Sequence, residues 1–275
     1  MPRLSGRVVA ITGASAGIGR ATAEHCAAEG AAVVLSARRA DRLDEIVRGI
    51  TSRGGRALAV PGDVTSEGDM DALVARAVEA FGSLDVMVCN AGIGYHGPLD
   101  ETPPAAMRRI VDVNLMGTLY AAASAMRVFR RQGRGHIIAV SSIVGRRGVG
   151  GSGIYAATKA AQLAFVESLR AEFVGTPFRA SVVFPVVTVT EFHETIARDF
   201  GYAVSGTGPR QTAAQVADKI VDCIVSPRAE VYPLRKAWWL AVLSVIAPAQ
   251  ADKVVQKFAR RRKPVAAAPD AHRPS

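Results

Sequence analysis

Tyr155 and Lys159 stand four residues apart in "SGIYAATKAA", residues 152–161, amid small side chains. On a helix that spacing puts both on one face, so a phenol and an ammonium look into the same space. A phenol with a pKa near about 10 moves a proton poorly at neutral pH unless its anion is stabilised, and a neighbouring ammonium supplies the charge. Thirteen residues before the tyrosine, Ser142 closes the apolar run in "AVSSIVG", where its hydroxyl can hydrogen-bond a substrate oxygen. Asn114, in "DVNLMG", sits inside a helix-like segment although asparagine is a weak helix former, and it can hold a water that links Lys159 to solvent. A Tyr/Lys pair alone is more often a plain surface contact. The four residues together describe proton transfer at an oxygen.

A second group suits an anion. "TGASAGIGR" sets Gly13, Gly17 and Gly19 after an apolar run and at the start of a helical pattern, with Ser15 and Ile18 among them. Glycines there permit a tight turn and let the backbone approach a pyrophosphate, whose charge meets the unpaired amides of the helix start. The spacing is G-x-x-x-G-x-G, and its place between strand and helix points to a dinucleotide site. After the next apolar run comes "LSARR", where Ala37 holds the position at which an acid commonly accepts from ribose hydroxyls, and Arg38 follows. An arginine meets a ribose phosphate with forked, charge-assisted hydrogen bonds, whereas an acid would repel it. NADP(H) is therefore expected in preference to NAD(H); the alternative is that Arg38 and Arg39 are solvated residues leading into a helix. "GDV" adds Asp63 and Val64, a carboxylate beside an amide that can recognise an adenine edge. "CNAG" adds Asn90, Ala91 and Gly92, the glycine leaving room for a ribose, although each of these is also ordinary turn chemistry.

These residues need elements to carry them. Short β-rich runs at Arg7–Thr12, Ala32–Ser36, Ala57–Val60, Leu84–Cys89, His136–Ser141, Ala180–Phe184 and Glu230–Tyr232 alternate with helical patterns at Ile18–Glu29, Asp41–Arg53, Glu67–Phe81, Ala105–Arg131, Ile154–Val174 and Ala213–Val225. That alternation predicts an α/β fold, a doubly wound, seven-stranded parallel sheet with helices on both faces. Such sheets bind ligands at the carboxyl ends of their strands, which is where the chemical residues fall.

Over roughly residues 5–232 the chain resembles the short-chain dehydrogenase/reductase family, with five separate elements in the family's order. The resemblance implies a Rossmann-like single domain. It makes Gly13, Gly17 and Gly19 the phosphate turn, Asp63 the adenine contact, Asn90 a sheet-stabilising residue near the cofactor, and Asn114, Ser142, Tyr155 and Lys159 a catalytic tetrad. Tyr155 would donate the proton in carbonyl reduction and, as phenolate, accept it in alcohol oxidation; Lys159 would lower its pKa and hold the nicotinamide ribose, and Ser142 would orient the carbonyl. One departure stands out. The family commonly follows the sixth strand with Pro-Gly and then threonine, but here "FPVVTVTEF" keeps Pro185 and has Val186 in place of glycine. A β-branched residue resists positive φ, so an adjusted turn is expected, with Thr188 and Thr190 still placed for the nicotinamide carboxamide. The stretch beyond Thr190, which shows no strong period, would cover the substrate; His193 within it is more often an exposed residue than a ligand. Tyr95, His96, Ile143, Val144 and Val149 flank the motifs and are expected along the cleft. A homodimer or homotetramer is implied as well.

Composition narrows the partners. The 275 residues are 49% hydrophobic, enough for one large core, and carry a formal charge of +10. About half of that charge lies from Lys257 to Ser275, where six basic residues face one acid. With no nucleic-acid motif beside it, the charge does not indicate a nucleic-acid binder. Cys26, Cys89 and Cys223 are scattered in apolar runs, so neither disulfides nor a thiolate metal site is expected. A reducing, cytoplasmic setting is expected from that cysteine usage and from the lack of an export leader pattern at the start of the sequence. The expected organisation is residues 1–232 as the dinucleotide-binding and catalytic domain, 233–263 as an apolar and basic helical extension, and 264–275 as a disordered tail. Ala237–Ala247 is apolar except for Ser244 and, at eleven residues, too short to span a bilayer. Two readings stay open for residues 235–263: packing on the domain or a second subunit, and peripheral contact with a membrane. The function read from these residues is NADP(H)-dependent hydride transfer at a lipophilic carbonyl or secondary alcohol, with a non-catalytic NADP(H)-binding sensor or scaffold as the alternative.

Overall fold

The computed structural model describes residues 2–192, 195–196 and 210–256, together with the backbone of 202–205 and 261–264. In chain order its strands are β1 (Val8–Thr12), β2 (Ala32–Ser36), β3 (Arg56–Ala59), β4 (Val86–Cys89), β5 (Gly135–Val140), β6 (Phe178–Val183), β7 (Val187–Val189), β8 (Tyr202–Ser205), β9 (Arg210–Thr212), β10 (Glu230–Val231) and β11 (Arg261–Pro264). Seven of them make one sheet in the order β10-β6-β5-β4-β1-β2-β3, every pairing parallel. β1 and β2 are buried along their whole length, as expected of strands covered on both faces. Their side chains divide by alternation. Val8 and Ala10 join Met70, Leu73, Phe129 and Val166 in one layer, while Val9 and Ile11 join Ala23, Leu43, Ile46 and Ile220 in the other. The strand order reverses between β1 and β4, and that switch point opens the cleft.

The helices are α1 (Gly17–Ala28), α2 (Ala40–Thr51), α3 (Glu67–Phe81), α4 (Pro104–Val111), α5 (Gly117–Gln132), α6 (Gly153–Glu172), α7 (Ala213–Val225), α8 (Trp238–Ile246) and α9 (Pro248–Gln256). α3 and α7 match their expected bounds, and each has a strong start signal. Ser66 accepts from the Asp69 amide, and Thr212 with Gln215 forms a capping box. The segment expected as one helix over 105–131 is instead α4, a π turn at Asp112–Met116, and α5. The wider turn brings Asn114 round to the loop after β4, and Gly117 lets the helix press on Val64, where a Cβ would lie 2.7 Å from Val64 Cγ2.

The later chain adds strands and moves one expected boundary. The aperiodic stretch after Thr190 contains strands, β9 pairing with β7 and β8 with β11, which satisfy backbone groups that composition alone leaves unassigned. The extension is helical through α9, but Arg261–Pro264 is a strand. Pro264, placed in the tail, therefore belongs to β11; residues 265–275 and His193 lie outside the described residues.

Candidate active site

β1 ends at Thr12, and its hydroxyl oxygen accepts from the amides of Asn90 and Ala91, both at 3.1 Å. Asn90 Nδ2 donates back to the carbonyls of Thr12 (2.9 Å) and Gly13 (3.2 Å). The two strand ends at the switch point are thereby stitched together. Gly13 has φ +65°, and a Cβ there would lie 2.8 Å from Ala91 Cα; at Gly19 it would lie 2.4 Å from the Gly13 carbonyl. α1 starts with no side-chain cap and no acid in its first turn, so its leading amides face the cleft without competition. This cradle fits a pyrophosphate and has no room for side chains.

Around it, Asp63 receives the Thr65 amide and hydroxyl on Oδ1 and faces Arg38 Nη1 at 3.9 Å through Oδ2. Asp69 fixes the Asp63 backbone, accepting its amide at 2.7 Å. Arg39 turns inward. Its Nε and Nη2 donate to Ser15 Oγ at 3.3 and 3.1 Å, and its Nη1 pairs with Glu191 at 3.1 Å.

α6 holds Tyr155 and Lys159 on one face, with the Lys159 ammonium 5.8 Å from the phenol ring centre. Lys159 is buried; its Nζ donates to the Val140 carbonyl at 2.9 Å and to Gln162 Oε1 at 3.1 Å, and burial pushes its pKa down to about 7. Ser142 caps a short turn after β5, its Oγ accepting from Val144 N at 3.4 Å. That turn lies against α6. Ser141 Oγ donates to the Lys159 carbonyl at 2.7 Å, and a Cβ on Gly145 would lie 2.8 Å from the same backbone. Asn114 is fully buried, its side chain accepting from the Ile93 amide (2.8 Å) and donating to the Ile93 carbonyl (3.0 Å) and Thr158 Oγ1 (3.1 Å).

Most of these groups border a single cleft of about 690 Å³. Gly13, Ser15, Gly17, Ile18, Arg38, Asp63, Val64, Asn90, Ala91 and Gly92 line one end of it, and Ser142, Tyr155, Lys159, Pro185, Thr188 and Thr190 line the middle. Gly19 and Asn114 stand behind the wall. A sequence pattern described as short chain dehydrogenase matches residues 7–200. The chain belongs to that family. Members of it are NAD(P)-dependent oxidoreductases, and this chain is one. A ketoacyl reductase of a Nostoc species is 30% identical over 264 residues, covering 94% of this chain and 91% of the relative. A family member from Burkholderia phymatum, solved with NAD, superposes with a TM-score of 0.80 at 23% identity and covers 98% of this chain and 99% of its own. Another from Burkholderia cenocepacia, solved with NADP, gives 0.73 at 28% identity, covering 84% and 97%.

The remaining walls of this short-chain dehydrogenase come from places the sequence reading assigned less well. After Pro185 the chain runs on into β7, so the adjusted turn at Val186 is an extended segment; Thr188 Oγ1 donates to the Val186 carbonyl at 3.0 Å, and the Thr190 methyl stands 3.0 Å from where a Gly17 Cβ would be. Ile143, Val144 and Val149 line the cleft as expected, but Tyr95 is buried beside it in a separate cluster, and His96 is buried against Ser152. The extension packs on the domain. Leu240 and Leu243 of α8 and Val254 and Val255 of α9 form the far apolar wall, fastened by Arg147, which donates to Asp252 (3.0 Å) and to the Pro248 carbonyl (2.9 Å). Trp238, Trp239, Val245 and Ile246 remain exposed, and among the described residues no helix is long and apolar enough to cross a membrane. Arg39 was legible only as the second arginine of "LSARR", and Gln162 carried no signal beyond its place one turn past Lys159.

Proposed function

We propose that this oxidoreductase transfers hydride between NADP(H) and a lipophilic carbonyl or secondary alcohol, with Tyr155 as acid and base. The observation that carries the reading is that Tyr155, Lys159 and Ser142 open onto the same cleft as the glycine cradle. The cofactor, when bound, supplies or accepts the hydride at its nicotinamide ring. Gly13, Gly17, Gly19 and the first amides of α1 hold its pyrophosphate, Asp63 and Val64 its adenine, and Asn90 keeps the cradle in shape. Arg38 and Arg39, with no acid at Ala37 between them and β2, support a 2′-phosphate over a free ribose hydroxyl. Lys159 holds the nicotinamide ribose, and Pro185, Thr188 and Thr190 its carboxamide. Ser142 orients the substrate oxygen, and Tyr155 gives it a proton in reduction or removes one in oxidation while Lys159 steadies the phenolate.

Leu240, Leu243, Val254 and Val255 support an apolar substrate, as does likeness to a ketoacyl reductase. The reading includes a homodimer or homotetramer, and peripheral contact of the outward face of α8 with anionic lipid. The test is NADPH consumption against carbonyls graded from small ketones to long-chain acyl ketones. We expect turnover to rise with apolarity and to fall by about a thousandfold or more in Tyr155→Phe while NADPH still binds. Full turnover in the variant would remove the acid–base assignment.

A further inference from the structure

Gln162 lies one turn beyond Lys159 on α6, fully buried, and its amide oxygen and both amide hydrogens have partners. Its Oε1 accepts from Lys159 Nζ at 3.1 Å, and its Nε2 donates to the main-chain carbonyl of Asn114 at 2.7 Å and to Thr118 Oγ1 at 2.8 Å. Thr118 Oγ1 gives its own proton to the same Asn114 carbonyl at 2.8 Å, which leaves it an acceptor for Gln162. The network allows one orientation of the amide. Reversed, it would set an NH₂ against the ammonium and an oxygen against a carbonyl.

We infer that Gln162 is a positioning residue for this chemistry, a side-chain bridge that ties the Lys159 ammonium to the π turn carrying Asn114 and fixes it beneath the Tyr155 phenol. The inference rests on the oxidoreductase reading above. A buried ammonium has lost its hydration and needs oxygen acceptors to remain charged. Lys159 has two, the Val140 carbonyl on β5 and Gln162 Oε1. The other groups around it are neutral: the Tyr155 phenol on α6, the Asn114 side chain on the π turn and the Gly92 backbone after β4. Burial is what lowers its pKa, and among the described residues no carboxylate offsets it. The glutamine thus does for the ammonium what a carboxylate would do by charge, without adding an anion that would work against phenolate formation at Tyr155.

The chain has six lysines, few enough to follow by NMR of ¹³Cε-labelled protein, with Lys159→Met identifying the resonance. In the full-length protein, Gln162→Met keeps length and volume but removes all three hydrogen bonds; the Lys159 midpoint is expected to fall by about one unit or more, and kcat/KM by about tenfold, with NADPH affinity changed less than about threefold. Gln162→Glu restores an acceptor and adds a charge, and the midpoint is expected to rise by a similar amount. A purely structural role would move neither midpoint while lowering the melting temperature. Unchanged midpoints in the two variants overturn the inference, and if the methionine variant does not fold, an unchanged midpoint in the glutamate variant does so alone. Because the titration needs no turnover, an inactive protein whose midpoints move as stated would sink the reductase reading and leave Gln162 in its place.

Discussion

At the glycine-lined end of the cleft the backbone itself is the wall. Gly13 and Gly19 approach Ala91 and each other so closely that a methyl group would enter 2.8 and 2.4 Å contacts with main-chain atoms, and Asn90 and Thr12 lock those atoms in place. At the opposite, apolar end the wall is made of side chains, Leu240, Leu243, Val254 and Val255, on two nine-residue helices held to the domain through Arg147. Rigid backbone contacts fail all at once when crowded, whereas apolar side chains can repack. Substitutions at the first end should therefore act on binding and folding together, and those at the second should grade the choice of substrate.

Gly19→Ala is the most severe test of the first half of that contrast. Its Cβ would meet the Gly13 carbonyl and Asn90 Nδ2, neither of which can yield without opening the stitch between β1 and β4. We expect a loss of about 2–3 kcal/mol of stability and at least about a hundredfold weaker NADPH binding, read by thermal melting and fluorescence titration. Native affinity in a well-folded variant would mean that the cradle is softer than its contacts indicate.

A milder test lies at the rim of the same end. Arg38→Ala should weaken NADPH about tenfold or more while leaving NADH nearly unchanged, because only the former carries the extra phosphate. Arg38 is exposed and its contact with Asp63 is long, so folding should be untouched. Arg39→Ala provides the comparison. Arg39 holds Ser15 and Glu191, so its loss should weaken both cofactors. Equal losses for NADPH and NADH in the Arg38 variant would make that arginine a solvated residue and return the question of cofactor choice to Arg39.

The same contrast explains what could be read from the sequence. The glycine cradle and the Tyr/Lys pair were legible because their demands are local: a glycine with positive φ, an asparagine at a strand end and two side chains on one helix face each leave a fixed spacing. Gln162 and Arg39 escaped because their meaning depends on partners far away in the chain, Asn114 on the π turn and Glu191 after β7. The π turn escaped for a related reason. Apolar periodicity runs through it, and the contacts around it, such as Asn114 with Ile93 and Gly117 with Val64, join segments distant in the chain. The strands after Thr190 pair with segments such as β11, more than fifty residues on, so no local pattern announces them.

α8 offers the finest test, because its two sides separate the apolar wall from the surface. Leu243 faces the cleft, while Val245 and Ile246 are 81% and 74% exposed and lie outside it. Leu243→Ala removes cleft surface worth about 1–2 kcal/mol and should raise KM for a long-chain ketone up to about tenfold, with kcat and the constants for a small ketone unchanged. The pair Val245→Asp and Ile246→Asp should leave both substrates unaffected in free solution, since neither side chain touches them. Its effect should appear only with anionic vesicles: Arg235 and Lys236 stand at the start of α8, and no acid intervenes before Asp252, so flotation of the full chain should depend on that apolar face. If the pair raised KM for the long-chain ketone as Leu243→Ala does, the outward face would belong to the substrate wall, and the division of this helix into an inner and an outer side would fall.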